Sequence, residues 1–159
     1  MGEEVRLREV EPADLEVFFE HQRDEEAARV ANFPSRDRER FMAHWTTRVL
    51  GDPDVFVRTV TVDGEPAGNL VAWWQEGRRF VGYWFGREWW GRGIGTRALG
   101  LFLERERHRP LYADPHAGNV GSIRVLERCG FRAAGSVRYD GQEHRMLVLD
   151  GPGEERGGA

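Results

Sequence analysis

Gly91, Gly93 and Gly95 fall within five residues, in the run Trp90-Gly91-Arg92-Gly93-Ile94-Gly95, and an apolar stretch follows at once. Glycines at this spacing let a backbone come close to a ligand. From Thr96 to Arg107 the residues Ala98, Leu99, Leu101, Phe102 and Leu103 cover a wide arc, which predicts a helix packed on a sheet. The start of such a helix carries unpaired N–H groups and a partial positive charge. Loop and helix together predict a cradle for a diphosphate, with Arg92 as an added charged donor.

The elements around the loop must hold it in place. Val5 to Val10 alternates as a first strand, and Pro12-Ala13-Asp14 starts a helix with Leu15, Phe18 and Phe19 on one face. After a loop at Asn32-Phe33-Pro34, Ser35 is the expected N-cap of a second helix carrying Phe41, Met42, Trp45 and Val49. Gly51-Asp52-Pro53 stops it. The period then changes to two. Val55–Val62, Leu70–Trp74 and Phe80–Phe85 read as a three-strand meander turning at Asp63-Gly64 and Gln75-Glu76-Gly77. Beyond the loop and its helix, which Pro110 ends, Leu111–Ala113 is a short strand expected to be parallel to the one before the loop. Asn119–Cys129 is an amphipathic helix, Phe131–Tyr139 and Gln142–Asp150 form a hairpin, and residues 151–159 read as a disordered tail. The expected architecture is a single mixed α/β (α+β) domain over residues 1–150.

Composition narrows the chemistry. The chain of 159 residues has a formal net charge of −4, so no general attraction to nucleic acid is expected. It contains no lysine, and all 23 basic residues other than histidine are arginine. A Walker-type phosphate loop and lysine Schiff-base chemistry are both excluded. Lone Cys129 excludes a disulfide framework or cysteine zinc site, and fits a reducing cytoplasm. No apolar run would span a membrane, and MGEEVRLREVEPAD is too acidic and mixed for a secretion signal.

A dinucleotide fold would want a third glycine and an acidic residue after the next strand. Asp114 meets the second condition, but Thr96 occupies the glycine position, the loop lies mid-chain, and a meander precedes it. A second class is more specific. The segment GYWFGREWWGRGIGTRAL resembles the coenzyme-binding motif Q/R-x-x-G-x-G/A of the GNAT superfamily of N-acetyltransferases, mapped here on Trp90 to Gly95. NVGSIRVLERCGF, Asn119 to Phe131, resembles the second GNAT motif. The wording of both is most similar to the branch that includes ribosomal-protein-alanine N-acetyltransferases, and Trp90 departs from the usual Gln or Arg.

The resemblance implies acetyl-CoA as donor cosubstrate and a primary amine, on a peptide N-terminus or a small molecule, as acceptor. It implies a mostly antiparallel sheet in which the parallel pair Phe80–Phe85 and Leu111–Ala113 splays apart. Backbone groups near Trp84 and Phe85 would then pair with the pantetheine arm, and one N–H would stabilise the oxyanion. Gly91, Arg92, Gly93, Ile94, Gly95 and Thr96 would hold the diphosphate, and Asn119 the arm or a phosphate. Attack would be direct, in a ternary complex, with Cys129 a core thiol. Where many members carry a tyrosine acid, this chain has Leu126; Ser122 is the nearest polar alternative, as acid, cofactor ligand or turn cap. His116 and Asp114 follow the splayed strand as candidate bases, with His116 nearer neutrality, although an exposed loop histidine or a water relay would serve the same sequence. His144, on the last strand, is a packing or substrate-side residue, and one of Trp73 and Trp74 would wall the acceptor pocket. A homodimer is compatible with the family. A non-catalytic acyl-CoA sensor of the same fold is the reading that the missing tyrosine favours.

Overall fold

Runs of β-branched and aromatic residues with period two build one sheet in the computed structural model, which describes residues 3–151. Its strands are β1 (Val5–Arg8), β2 (Phe56–Val62), β3 (Glu65–Gln75), β4 (Arg78–Phe85), β5 (Leu111–Ala113), β6 (Arg132–Tyr139) and β7 (Gln142–Leu149). They lie in the order β1-β2-β3-β4-β5-β7-β6. Every neighbouring pair is antiparallel except β4 and β5. Three hairpins turn at Asp63-Gly64, Glu76-Gly77 and Asp140-Gly141, all with positive φ at both residues, so the turn twist matches the strands.

The helices are α1 (Asp14–Gln22), α2 (Glu25–Ala31), α3 (Arg38–His44), α4 (Ile94–Arg105) and α5 (Val120–Arg128). α3 runs on into a π-turn over Trp45–Val49. Leu70, Ala72 and Val81 pack with Ile94, Leu99, Phe102 and Leu126 on one face of the sheet. Burying each such Leu or Phe contributes about 1.5–3 kcal/mol. On the other face, Phe18 of α1 joins Phe41, Trp45 and Val49, with Val57 and Val71 beneath.

Several expected boundaries move. β1 ends at Arg8, before Val10. The segment before Asn32 holds a second helix, because Asp24 adopts an extended conformation and accepts from the N–H groups of Glu26 and Ala27. Asp37 caps α3 instead of Ser35, accepting from the Arg40 N–H at 2.8 Å. α4 starts two residues early, at Ile94, and ends at Arg105 ahead of Arg107. Of the expected tail, Gly151 is buried, and residues 152–159 lie outside the described residues.

One irregularity of the sheet positions the site. β4 and β5 pair only at Arg79–Leu111 and Phe80–Tyr112. β5 then follows β7 through Ala113–Leu147, while Val81–Phe85 keep their β3 partners. The two strands therefore diverge from Val81 onward. β5 stops because Asp114 is followed by Pro115, which has no N–H for a ladder. At the closed end, buried Arg79 bonds buried Glu106 at 2.8 Å and the carbonyl of Asp54 at 2.6 Å.

Candidate functional site at the open strand pair

A cavity of about 570 Å³ lies against the start of α4 and the facing edge of α5. Gly91 and Gly93 hold φ of +78° and +75°, and a Cβ at either would meet nothing within 4 Å. The first bond inside α4 runs from the Arg97 N–H to the Gly93 carbonyl, and no side chain caps the helix. The N–H groups of Ile94, Gly95 and Thr96 thus have no partner within the helix, and all three residues line the cavity. Gly95 also serves packing, since a Cβ there would stand 3.3 Å from a Val125 methyl of α5. The buried Thr96 hydroxyl has no hydrogen-bond partner among the described residues.

Arg92 sits differently from expectation. Its guanidinium lies 5.2 Å from the Trp89 ring centroid and pairs with Glu3 at 2.8 Å, and it is absent from the cavity wall. Arg124 and Arg128, one turn apart on α5, line the wall instead, and neither has a carboxylate partner among the described residues. The sequence reading missed both; their i, i+4 spacing on the helix after Asn119 was the signal that could have marked them. Trp90 lines the same cavity, and its indole N–H donates to the Phe85 carbonyl at 3.1 Å, so that carbonyl is already engaged. Trp84 donates to the His21 carbonyl at 3.1 Å and ties β4 to α1.

At the open seam, Tyr83 of β4 reaches Ser122 of α5. The phenol oxygen lies 2.9 Å from Ser122 Oγ and 3.1 Å from its carbonyl. Burial raises the Tyr83 phenol far above its ordinary value, so it stays a neutral donor. The phenol has one proton: while it goes to the Ser122 carbonyl, Oγ donates to the phenol, and when it turns to Oγ, the Ser122 proton is free to point elsewhere. Asn119 accepts from the Ser122 N–H at 3.2 Å and so caps α5. Alternation with Val81 and Phe85 places Tyr83 on the α5 side, but its partner lies 39 residues away and escaped the sequence reading. Leu126 is fully in the core, and the Cys129 thiol, raised by burial, lies 3.6 Å from the Thr96 carbonyl.

A second cavity, about 840 Å³, opens on the other side of the seam. Tyr83, Trp84, Asn119 and Ser122 line both. Its wall also carries Asp114, His116, Tyr139 and His144. Tyr139 donates to Asp114 Oδ2 at 2.7 Å, and His144 Nδ1 lies 2.9 Å from the Asp114 carbonyl. Burial pushes the Asp114 carboxyl above the usual carboxylate range, although the Tyr139 bond and His144 oppose it. Burial and Asp114 push the Tyr139 phenol up to about 12. His116 has both ring nitrogens engaged: Nδ1 accepts the Gly118 N–H at 3.1 Å, and Nε2 faces Gln142 Oε1 at 3.2 Å. Trp73 stacks on Phe80 at 6.0 Å and lies beside Gly82, whereas Trp74 is 46% exposed and meets His108 edge-on.

A helix start without a side-chain cap, a strand pair opened beside it and a second cavity across the opening thus lie together in the fold. Residues 4–132 match the family described as the acetyltransferase (GNAT) domain, and the chain belongs to that family. Over 87 residues it is 32% identical to "Probable N-acetyltransferase YjcK" of Bacillus subtilis (strain 168), a match that spans 48% of each chain, about half the relative's length. Similar solved structures share the fold. Aminoglycoside acetyltransferase AAC(6')-Ib in complex with coenzyme A and kanamycin has a TM-score of 0.76 at 22% identity, over 98% of this chain and all of that one. RimL, a ribosomal L7/L12 alpha-N-protein acetyltransferase, in complex with coenzyme A, has 0.77 at 18% identity, over 92% and 93%. Among the described residues no helix is long and apolar enough to cross a membrane.

Proposed function

We propose that this chain transfers an acetyl group from acetyl-CoA to a primary amine, on a peptide N-terminus or a small molecule, by direct attack in a ternary complex. The observation that carries the reading is the pair of cavities meeting across the open β4–β5 seam at Tyr83 and Ser122. The smaller one suits the coenzyme. The N–H groups of Ile94, Gly95 and Thr96, the space above Gly91 and Gly93, and Arg124 and Arg128, which have no carboxylate partner among the described residues, together match a polyanionic nucleotide. Acetyl-CoA supplies an activated acetyl thioester.

The chain's own residues manage two protons. Ser122 Oγ, held by the Tyr83 hydroxyl, carries the proton that a departing thiolate needs. Asp114 collects the amine proton. Its raised carboxyl is a stronger base than an exposed aspartate, and Tyr139 holds it in place. His116 is the weaker candidate, because its loop bonds must break before either nitrogen is available. The lone thiol and the donor both fit a cytoplasmic setting.

Thiol release from acetyl-CoA with a panel of amines tests the reading. Amine-dependent release supports it. Leu126, apolar and buried where many family members carry a tyrosine, favours the second reading of a non-catalytic sensor. A sensor would bind acetyl-CoA and release no thiol with any amine.

A further inference from the structure

The larger cavity has two ends of opposite charge. Asp114 and Asp140 lie on its wall near the β6–β7 turn. Arg36, His44 and Arg48 lie on its wall around α3 and the π-turn that extends it. Arg36 is half-buried, its guanidinium 5.2 Å from the Phe33 ring centroid, and it has no carboxylate partner among the described residues. Arg48 is exposed and likewise has no carboxylate partner among the described residues. The nearby wall carboxylate, Asp52, accepts the Asp54 N–H at 2.9 Å and pairs with neither arginine. Burial lowers the Arg36 guanidinium, and burial, then Arg36 and Arg48, lower His44, so both arginines act on the histidine between them in the chain. A partly desolvated guanidinium without a counter-ion, as at Arg36, is unfavourable until an anion arrives. The groups acting on Asp114 are Tyr139 and His144, and neither arginine is among them, so the two ends do not neutralise each other.

We infer that the acceptor carries an acidic group besides its amine, and that Arg36 and Arg48 bind that group while Asp114 faces the amine. This rests on the acetyl-transfer reading for the word acceptor, and it adds the substrate class: an amine that is also an acid, such as an amino acid or a short peptide with a free C-terminus. A guanidinium suits a carboxylate through two parallel N–H donors, and a second arginine on the same wall adds positive charge. Polycationic amines without an acid would meet Arg36 and Arg48 as like charges.

The test uses the intact chain saturated with coenzyme A, which blocks turnover. Binding of alanyl peptides of two to four residues is measured by calorimetry, each against its C-terminal amide. At the length that spans the two ends, the free acid is expected to bind at least about tenfold tighter than the amide. R36Q/R48Q should bring that ratio within about twofold, leave the affinity of the amide unchanged, and leave the coenzyme affinity unchanged. Equal binding of acid and amide at every length, binding of neither, or an acid preference that survives R36Q/R48Q overturns the inference. Thiol release from acetyl-CoA, run on the same peptides, separates the two claims. A binding preference without release retains the anion site and defeats acetyl transfer; release with equal KM for acid and amide does the reverse.

Discussion

Ser122 and Asp114 differ in what each should cost when removed. Ser122→Ala deletes the hydroxyl beside Tyr83 without touching the cradle, so kcat is expected to fall roughly 100-fold while coenzyme affinity stays within about twofold. Equal kcat in steady-state assays would assign Ser122 to capping or coenzyme contact alone. Asp114 must be charged to accept a proton, and burial holds its carboxyl above the usual carboxylate range. Activity is therefore expected to drop, as pH falls, at a higher pH than for an exposed aspartate. Asp114→Asn should remove that acid limb along with most of the rate. The same shift has a sign for stability. A carboxyl raised in the folded state binds its proton more tightly there, so stability declines as pH rises from the unfolded value through the folded one. At neutral pH Asp114→Asn is accordingly expected to melt no lower than the parent. A pH–rate profile and a melting curve of the same two proteins check both statements.

At the scale of elements, the splay depends on the short β5 and on the clamp at its closed end. Glu106→Ala leaves Arg79 buried and without its counter-charge, and is expected to cost about 3–5 kcal/mol in urea unfolding. A loss below about 1 kcal/mol would show that Arg79 is held by the Asp54 carbonyl instead. The start of α4 offers a cleaner test, because Gly93→Glu puts a carboxylate in the cradle and a helix N-terminus tolerates that charge. The strain of a side chain at positive φ is about 1–2 kcal/mol, small enough for the fold to survive. The coenzyme-induced melting shift should vanish.

Period and turn residues made the meander, the last hairpin and the glycine loop legible from the chain alone, because each is written within about ten neighbouring residues. α2 was not, since its start depends on the extended backbone and cap at Asp24. The partners across the site were not legible either. Glu3 reaches Arg92 over 89 residues, and Tyr83 reaches Ser122 over 39, so the first contact exists only once the start of β1 lies beside the loop before α4, and the second once α5 packs on β4. The spacing that suggested Arg92 as a phosphate donor could not reveal that Glu3 already holds it. Asp114 and His116 stand two residues apart in sequence, and only the loop geometry separates their availability.

For the whole molecule, the two cavities and the sheet between them lead to one claim. We propose that the amides at residues 94–96 bind the diphosphate of the coenzyme, and that the edge of β4 beyond Phe80 takes its thioester arm toward Ser122. Ligand preference should follow. Acetyl-CoA at a hundred times its Kd is expected to add about 2.7 kcal/mol, a melting shift of roughly 5–10 °C, while NAD at the same concentration gives none. A crystal structure with bound coenzyme A tests the claim most directly. The account requires the diphosphate on the Ile94, Gly95 and Thr96 amides and the sulfur within reach of Ser122 Oγ; a coenzyme bound elsewhere, or β4 and β5 paired through residues 81–85, would contradict it.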